Sequence, residues 1–421
     1  MLPHRCIPRA AKRTTATNGS TVLMDASSTK PFPWVGLLTL ATLIFMMVTS
    51  EFLPTGLLPE ISRELKVSES QVGLLITVFA GTVVLTAAPV SILTRRFSRK
   101  SIVLVVLVVF IGANVLAAVA PTYPVLVVAR IVGGLAHGTF WSVVGAYAAH
   151  LVPKHQLARA VSITGGGGTA AFVLGVPLGT ALGHALGWRL AFAILAAAVV
   201  VLTVVAARLL PPVSHGEVLA TGEIPLPMRK DRTVPGVVIV GIIIVLVAFG
   251  HNIFYTYIAP FLLGPAGFDP AAVAPILFLY GGAGAIGLVL AGMFGDRFPR
   301  GAMVTAIIVV LLSVTMVAFF SHNQVALLGA VFVWGAAFGS LPSLLQARMM
   351  HTASLRVRDL ASAYFATSFN FAIGLGALVG GLLLDRWGVG VLPWVDVVIT
   401  VAGLALVLFG NAWLARRATT A

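Results

Sequence analysis

Apolar residues occur along the chain in long runs that are separated by short polar stretches. Each run holds roughly 20 residues, the length that a helix needs to cross a hydrocarbon core of about 30 Å. The runs lie at about 34–58, 71–94, 101–120, 124–150, 160–186, 188–210, 235–263, 272–295, 302–320, 324–347, 360–384 and 391–414. They are too long for the strands of a membrane barrel. The pattern predicts an all-α integral membrane protein with twelve transmembrane helices, because helices satisfy their own backbone polar groups in lipid.

Composition and charge agree with this prediction. The chain is 59% hydrophobic and 10% charged, whereas a soluble domain carries about a quarter charged residues. A net charge of +14 is compatible with nucleic-acid binding, but the 27 basic residues concentrate in alternate loops. If the N-terminus lies inside, the outer loops receive only Arg63, Lys66, Arg189 and Arg386. The asymmetry predicts that both termini are cytoplasmic.

Two polar segments divide the chain. Residues 1–30 lack the apolar core of a signal peptide and predict a disordered cytoplasmic tail. Residues 211–234 are polar and proline-rich, and they predict a cytoplasmic linker. We therefore expect one six-helix bundle over 31–210 and a second over 235–421.

The two halves resemble each other at one constant shift of 201 positions, which brings Gly134 onto Gly335. The same shift aligns Arg96, Phe97 and Arg99 with Arg297, Phe298 and Arg300, Ala136 and Gly138 with Ala337 and Gly339, and Gly175 and Gly179 with Gly376 and Gly380. Such a repeat predicts two pseudo-symmetric bundles. This is the architecture of transporters in which one half rocks against the other around a site at the membrane midplane.

Glu51 and Arg130 are charged residues inside apolar spans of the first half. Under the repeat they correspond to Asn252 and Val331, so the bundle itself does not require charges there. An unpaired charge at this depth costs at least ~2.5–3.5 kcal/mol on insertion scales, so we expect the two side chains to pair. Such a pair fits proton coupling, and a static link between spans one and four is the alternative. Pro54 should kink span one near the acid.

Four stretches carry a resemblance to a known family: TSEFLPTGLLPEIS at 49–62, VGLLITVFA at 72–80, ARIVGGLAHGTFWSVVGAYAAHLVP at 129–153 and VLGVPLGTALGHALGWRLAF at 173–192. Here the sequence resembles the major facilitator superfamily, in its twelve-span drug:proton antiporter branch. It is most similar to bacterial sugar efflux transporters of the arabinose type. The family's loop motif after span two is degenerate here (SILTRRFSRK), whereas the second half keeps Gly292, Asp296, Arg297 and Arg300.

The resemblance implies a proton-coupled antiporter of the bacterial inner membrane that exports small sugars or related solutes by alternating access. Relatives with these motifs also export thiogalactosides, nucleosides or chloramphenicol-like drugs. A multidrug or chloramphenicol-type drug:proton exporter is therefore the alternative, and a proton-coupled uptake symporter is a further one. The expected partners are protons, a small-molecule substrate and the lipid bilayer, without nucleic acid, and we expect a monomer.

The candidate proton-coupling residues are Glu51, Arg130 and His137. His137 and Trp141 follow Arg130 on one face of span four, and histidine titrates near neutral pH. A packed histidine is the alternative for His137. Trp141 is a candidate for stacking on a substrate ring, with core packing as its alternative. Asp396 lies about five residues into span twelve, so we expect it near the outer face.

Spans seven and ten supply the other candidates for substrate binding. His251, Asn252 and Tyr255 cluster in span seven, and asparagine can donate to and accept from hydroxyl groups. Trp334 and Phe338 add aromatic rings from span ten. The span-seven cluster corresponds to the position of Glu51 under the repeat. We predict that it forms the second half of a central site.

Charged residues at the cytoplasmic ends of spans form a candidate gate. The family's pseudo-symmetry implies that Asp296 meets Arg159 and that Arg96 meets Asp359 when the inside is shut. Arg297 belongs to the same loop motif. Solvated loop charges are the alternative.

The glycine-rich stretches do not predict a nucleotide site. Residues 282–287, GAGAIG, fit the spacing G-x-G-x-x-G but lie within a span and follow no strand. Close helix packing is the expected role. The sequence also contains no recognisable Ser/His/Asp set and no cluster of metal ligands. We therefore expect a protein that is not an enzyme and that needs no cofactor.

Overall fold

The structure of the protein is a computed structural model that describes residues 32–419 apart from 95–96, 154–155, 212–230, 232, 296 and 355–356. The predicted tail at 1–30 and most of the predicted linker at 211–234 lie outside the described residues. The boundaries of the two bundles, 31–210 and 235–421, stay predictions.

The described chain is almost entirely helical. The helices are α1 (Trp34–Gly56), α2 (Leu58–Leu65), α3 (Glu69–Leu93), α4 (Arg99–Ala118), α5 (Tyr123–Leu151), α6 (Leu157–Ala170), α7 (Val176–Leu186), α8 (Trp188–Leu209), α9 (Val234–Tyr255), α10 (Ile258–Leu263), α11 (Pro270–Phe294), α12 (Pro299–Phe319), α13 (Gln324–Thr352), α14 (Arg358–Trp387) and α15 (Leu392–Thr419). A π-helical turn, Ala171–Gly175, joins α6 to α7 into one span. Within the described residues, twelve stretches are long and apolar enough to cross a membrane, which confirms the predicted number.

Two spans end earlier than the sequence predicted, and they do so at equivalent places. Span one ends at Gly56 and is followed by the short helix α2, whereas the sequence predicted a kinked helix to residue 58. Span seven ends at Tyr255 and is followed by α10 instead of continuing to residue 263. Pro59 and Pro260, which the repeat aligns, lie in the short second helix of each pair. Proline lacks a backbone donor, so a helix does not continue smoothly through it.

The helix contacts follow the same repeat. In the first half, α3 and α4 both pack against α5, α4 packs against α8, and α1 packs against α6 and α8. In the second half, α11 and α12 both pack against α13, α12 packs against α15, and α9 packs against α14 and α15. Each of these contacts in one half therefore has its counterpart in the other. This is the predicted pair of pseudo-symmetric bundles.

Aligned glycines let aligned helices approach closely. A Cβ at Gly134 would lie 2.6 Å from the carbonyl oxygen of Phe79, and a Cβ at Gly335 would collide with the carbonyl of Tyr280. Phe79 and Tyr280 are themselves separated by 201 positions. The GAGAIG stretch has the packing role expected of it, because a Cβ at Gly287 would collide with the backbone of Ala336.

The two halves contact each other mainly through α3 against α14 and through α11 against the span that contains α7. The Ser70 hydroxyl donates to Asp385 Oδ2 at 2.7 Å, and the Thr77 hydroxyl donates to the carbonyl oxygen of Gly374 at 2.9 Å. The first bond lies where α3 begins and α14 ends, and the second lies further along both helices. A Cβ at Gly73 of α3 would collide with the hydroxyl of Tyr257 from the opposite half. The halves are therefore tightly closed at this end.

Candidate functional site

Glu51 is buried near the end of α1, with 3% of its surface exposed. Its Oε2 atom lies 3.5 Å from Nε2 of His137 on α5. Its Oε1 atom is buried and has no hydrogen-bond partner among the described residues. Two of the predicted proton-coupling residues are thus in contact, and one carboxyl oxygen remains available for a further bond.

Arg130 pairs with α1 in a different way from the one expected. Its Nη1 atom donates to the carbonyl oxygen of Ser50 and its Nη2 atom to that of Glu51, each at 2.8 Å. The guanidinium also lies over the ring of Phe79, 4.2 Å from the ring centre. No ion pair within 4.0 Å joins it to the Glu51 carboxylate, although both side chains are described. The expected direct side-chain pair was therefore wrong.

The physical reason lies in Pro54. A proline has no N–H, so the carbonyl four residues earlier in the helix loses its intrahelical partner. In α1 that carbonyl belongs to Ser50, and Arg130 donates to it. A buried carbonyl without a partner is costly, so the guanidinium is drawn to the backbone of α1. Its charge still lies next to the chain segment that carries Glu51.

His137 is engaged by two neighbours through one nitrogen. The indole Nε1 of Trp141 donates to His137 Nε2 at 2.6 Å, and the same nitrogen faces Glu51 Oε2. A nitrogen that accepts a bond carries no proton, so this geometry fits a neutral imidazole protonated at Nδ1. The ring is further held edge-on by Phe79, with centroids 5.2 Å apart. Trp141 is 39% exposed, so part of its ring surface is accessible, whereas Glu51 is buried.

The candidates in the second half form one aromatic cluster around His251. The imidazole stacks on Phe338 with centroids 3.4 Å apart and on Tyr255 with centroids 5.0 Å apart. The Trp334 ring lies on another side of the imidazole, with ring centroids 5.2 Å apart. Tyr280 of α11, which sequence reasoning missed, places its hydroxyl 3.5 Å from His251 Nε2. The predicted members of this cluster therefore lie together in the structure.

Several polar atoms of this region are buried without a partner among the described residues. They are His251 Nδ1, Asn252 Oδ1 and Trp334 Nε1. The other end of the Asn252 amide donates to the carbonyl oxygen of Ala248 at 2.7 Å, which fixes its orientation. The three free atoms comprise a donor, an acceptor and one ring nitrogen that can act as either.

Aromatic side chains connect the two halves of the site. Phe52, the neighbour of Glu51, lies 4.8 Å from Phe172 and 6.4 Å from Tyr255 between ring centres. Phe172 belongs to the π-helical turn and is itself 6.2 Å from Tyr255. Neither phenylalanine was predicted as a site residue. The position of Phe52 beside Glu51 was the only signal in the sequence.

Asp396 is a second buried acid, close to the start of α15. Its exposed fraction is 0%. The carboxylate lies against Gly250 of α9, where a Cβ would come within 2.8 Å of Oδ1. The neighbouring helix therefore covers this position through its glycine, and the expected depth near the outer face stays a prediction.

The predicted gate is largely untested. Arg96 and Asp296 lie outside the described residues, and Asp359 is described only as part of the α14 backbone. The Arg159 guanidinium lies over the ring of Trp34, 4.9 Å from its centre. The Arg297 guanidinium lies 5.5 Å from the ring centre of its neighbour Phe298. The pairs Asp296–Arg159 and Arg96–Asp359 stay predictions.

The sequence matches the family profile of the Major Facilitator Superfamily over residues 40–277 and 240–420. The chain belongs to the major facilitator superfamily. Its membership makes it a membrane transporter, and the twelve spans in two repeats are the fold of that family.

Solved structures of other transporters share this fold. A bacterial homolog of the human lysosomal transporter Spinster, in inward-facing conformations, superposes with a TM-score of 0.68 when unoccupied and 0.72 when occupied, at 17% and 16% identity. Both matches cover 91% of this chain, and they cover 96% and 98% of the homolog. A variant of the nucleoside transporter NupG gives a TM-score of 0.73 at 16% identity, over 90% of this chain and 99% of the other. At these identities the likeness concerns the fold alone.

Proposed function

We propose that the protein is a proton-coupled efflux transporter of the bacterial inner membrane, with both termini cytoplasmic, and that it exports small sugars or related neutral solutes. The observation that carries the proposal is the contact between Glu51 and His137. His137 Nε2 already accepts a bond from Trp141, so an ionised Glu51 would face a lone pair. A protonated Glu51 fits this geometry, and an ionised one requires the imidazole to turn or to gain a proton. The site therefore discriminates between protonation states.

Proton binding can drive transport only if the two conformations of the protein hold the proton with different affinity. Arg130 supplies a fixed charge beside Glu51 through its bonds to α1. A movement of α1 relative to α5 that breaks these two bonds changes the distance between the Arg130 charge and the Glu51 carboxyl group. Protons that arrive from outside would bind Glu51 in one conformation and leave it in the other.

The second half supplies the chemistry for the solute. Aromatic faces of Tyr255, Trp334 and Phe338 can stack against a sugar ring or an aromatic group. The unpartnered atoms of His251, Asn252 and Trp334 can bond hydroxyl groups. The same features suit a chloramphenicol-type drug, which carries both an aromatic ring and hydroxyl groups. Drug export is therefore the second candidate.

The test uses inside-out vesicles with an acidic lumen, in which an exporter of this kind accumulates its solute. Labelled arabinose, chloramphenicol and uridine are offered to vesicles that contain the wild type, Glu51→Gln or Asp269→Asn. Asp269 is an exposed acid at the start of α11 and serves as the matched control. We expect gradient-driven uptake of one probe by the wild type and by Asp269→Asn, and none by Glu51→Gln.

The alternative outcomes separate the candidates. Uptake of chloramphenicol alone would make the protein a drug exporter. Accumulation only in right-side-out vesicles with acid outside would make it an uptake symporter. If Glu51→Gln still couples uptake to the gradient, Glu51 is structural and His137 is the next residue to replace.

A further inference from the structure

The fold does not require an acidic residue at position 396. It lies in the first turns of α15, its Oδ1 accepts a bond from the Thr400 hydroxyl at 3.0 Å, and its Oδ2 has no partner among the described residues. The repeat aligns Asp396 with Leu195 of α8, which is a buried apolar residue in the equivalent helix. A leucine therefore suffices for the packing of this position in the first bundle.

Two titratable groups of the neighbouring helices are described near the acid. From α9 comes His251, adjacent in sequence to Gly250, which contacts Asp396. From α11 comes Tyr280, whose hydroxyl lies 3.5 Å from His251 Nε2. On α12, which packs against α15, the buried Ser313 hydroxyl donates to the carbonyl oxygen of Val310. Tyr364 of α14 packs on Gly241, nine residues and more than two turns from Gly250. No ion pair of Asp396 within 4.0 Å exists among the described residues.

An ionised carboxylate in such a place is unfavourable. A buried charge without a partner costs far more than a hydrogen-bonded neutral group, and it is normally neutralised by a proton. One bond from a threonine hydroxyl does not replace the hydration of a carboxylate. The free Oδ2 is the atom on which a proton would sit.

We propose that Asp396 is a second proton-binding site of the transporter, which takes up a proton at Oδ2. The inference rests on the proposed function as a proton-coupled transporter. Each half then has one buried acid, Glu51 in the first and Asp396 in the second. Two protons can then be carried in each cycle.

The test is infrared difference spectroscopy of the purified protein in lipid, recorded between acidic and alkaline pH without any substrate. A protonated carboxyl group in an apolar setting gives a separate carbonyl band that shifts in D2O. We expect two such bands to titrate in the wild type. Asp396→Asn removes one of them, Glu51→Gln removes the other, and Asp269→Asn, which changes an exposed acid, removes neither.

Two results decide between the proposals separately. If Asp396→Asn leaves both bands in place, the second proton site is wrong, whatever happens to Glu51. If Asp396→Asn removes one band but Glu51→Gln leaves the spectrum unchanged, the proposed role of Glu51 as a proton carrier is wrong. Should Asp396→Asn fail to fold, Thr400→Val keeps the acid and deletes its one hydrogen bond. That variant must shift the frequency of the Asp396 band, and an unshifted spectrum would overturn the assignment.

Discussion

Arg130 donates a hydrogen bond to the carbonyl oxygen of Ser50, the carbonyl that Pro54 leaves without a partner in its own helix. A charged side chain thereby replaces a missing backbone donor inside a span. The proline and the arginine are parts of one arrangement, although they lie in different spans. The charge next to Glu51 is fixed in place by the backbone and does not depend on the protonation of the acid.

This relationship predicts a coupling between two substitutions. Arg130→Met leaves the buried carbonyl of Ser50 without a donor, and we expect it to destabilise the protein by about 1–3 kcal/mol, the cost of one buried unsatisfied group. Pro54→Ala restores the intrahelical partner of Ser50, so Arg130→Met should cost less in that background. Thermal unfolding of the four proteins of the cycle measures the difference.

The control for this cycle is Arg208→Met, because Arg208 is exposed at the end of α8. It should change stability by no more than about 0.5 kcal/mol, as exposed positions usually do. Equal effects of Arg130→Met with and without Pro54 would show that the guanidinium does not act through the Ser50 carbonyl.

The aligned glycines predict matched stability effects in the two halves. Gly134→Ala and Gly335→Ala each force a Cβ into the backbone of a neighbouring helix, so both should lower the melting temperature clearly. At Gly145 of α5 and Gly329 of α13 an added Cβ would meet no described atom within 4 Å, so these two positions are the controls in the same helices. Alanine there should be neutral or stabilise by up to about 1 kcal/mol, its helix-propensity advantage over glycine. A similar loss at all four positions would contradict the packing described for the repeat.

Most of the fold could be predicted from the sequence, because the spans and the repeat follow from the pattern of residues along the chain. Run length indicated the number of helices, and the shift of 201 positions anticipated the paired contacts at Gly134 and Gly335. The predicted ends of spans one and seven lie too far along the chain, because hydropathy does not show where a proline interrupts the backbone hydrogen bonds of a helix. In both places the apolar run continues past the end of the long helix, to Leu58 and to Leu263.

Some members of the candidate site could be predicted from the sequence, but their hydrogen bonds could not. Glu51, His137 and His251 were recognised as polar residues within apolar runs, and each is buried at a contact. The partner of Arg130 could not be predicted, because it is a carbonyl set free by Pro54 in another helix. The burial of Asp396 could not be predicted either, because it depends on Gly250 of α9, a contact between segments far apart in sequence.

Trp334 predicts a separation of substrate affinity from proton coupling. Trp334→Phe keeps an aromatic ring in the cluster but deletes the unpartnered indole N–H. We expect KM for the transported probe to rise about 5–10-fold, the equivalent of one hydrogen bond of about 1–1.5 kcal/mol. Uptake should still require the proton gradient, unlike that of Glu51→Gln. Trp394→Phe, in which the ring packs on Phe319 away from the site, should leave KM unchanged. An unchanged KM in Trp334→Phe would show that the indole N–H does not bind the transported probe.

Gly73 and Tyr257 predict how the closed end of the transporter can be held open. Tyr257 donates to the carbonyl oxygen of Ala377 at 2.6 Å, and its hydroxyl end fits between Gly73 of the first half and Gly381 of the second. A side chain at Gly73 cannot fit while Tyr257 stays in place. Gly73→Val should therefore disfavour closure of this end. Gly81→Val places the same side chain on the same helix, where an added Cβ would meet no described atom within 4 Å.

Closure is measured by cross-linking cysteines placed at Ser70 and Asp385, whose side chains are 2.7 Å apart in the closed arrangement. The background carries Cys6→Ser, because Cys6 is the only cysteine of the chain. We expect efficient cross-linking by a short bifunctional thiol reagent in this background and with Gly81→Val, and a several-fold lower yield with Gly73→Val. Under the proposed orientation this end faces outside, so Gly73→Val should also accumulate the outward-open form and slow transport. Equal yields for the two valine variants would mean that Tyr257 does not form the closing contact.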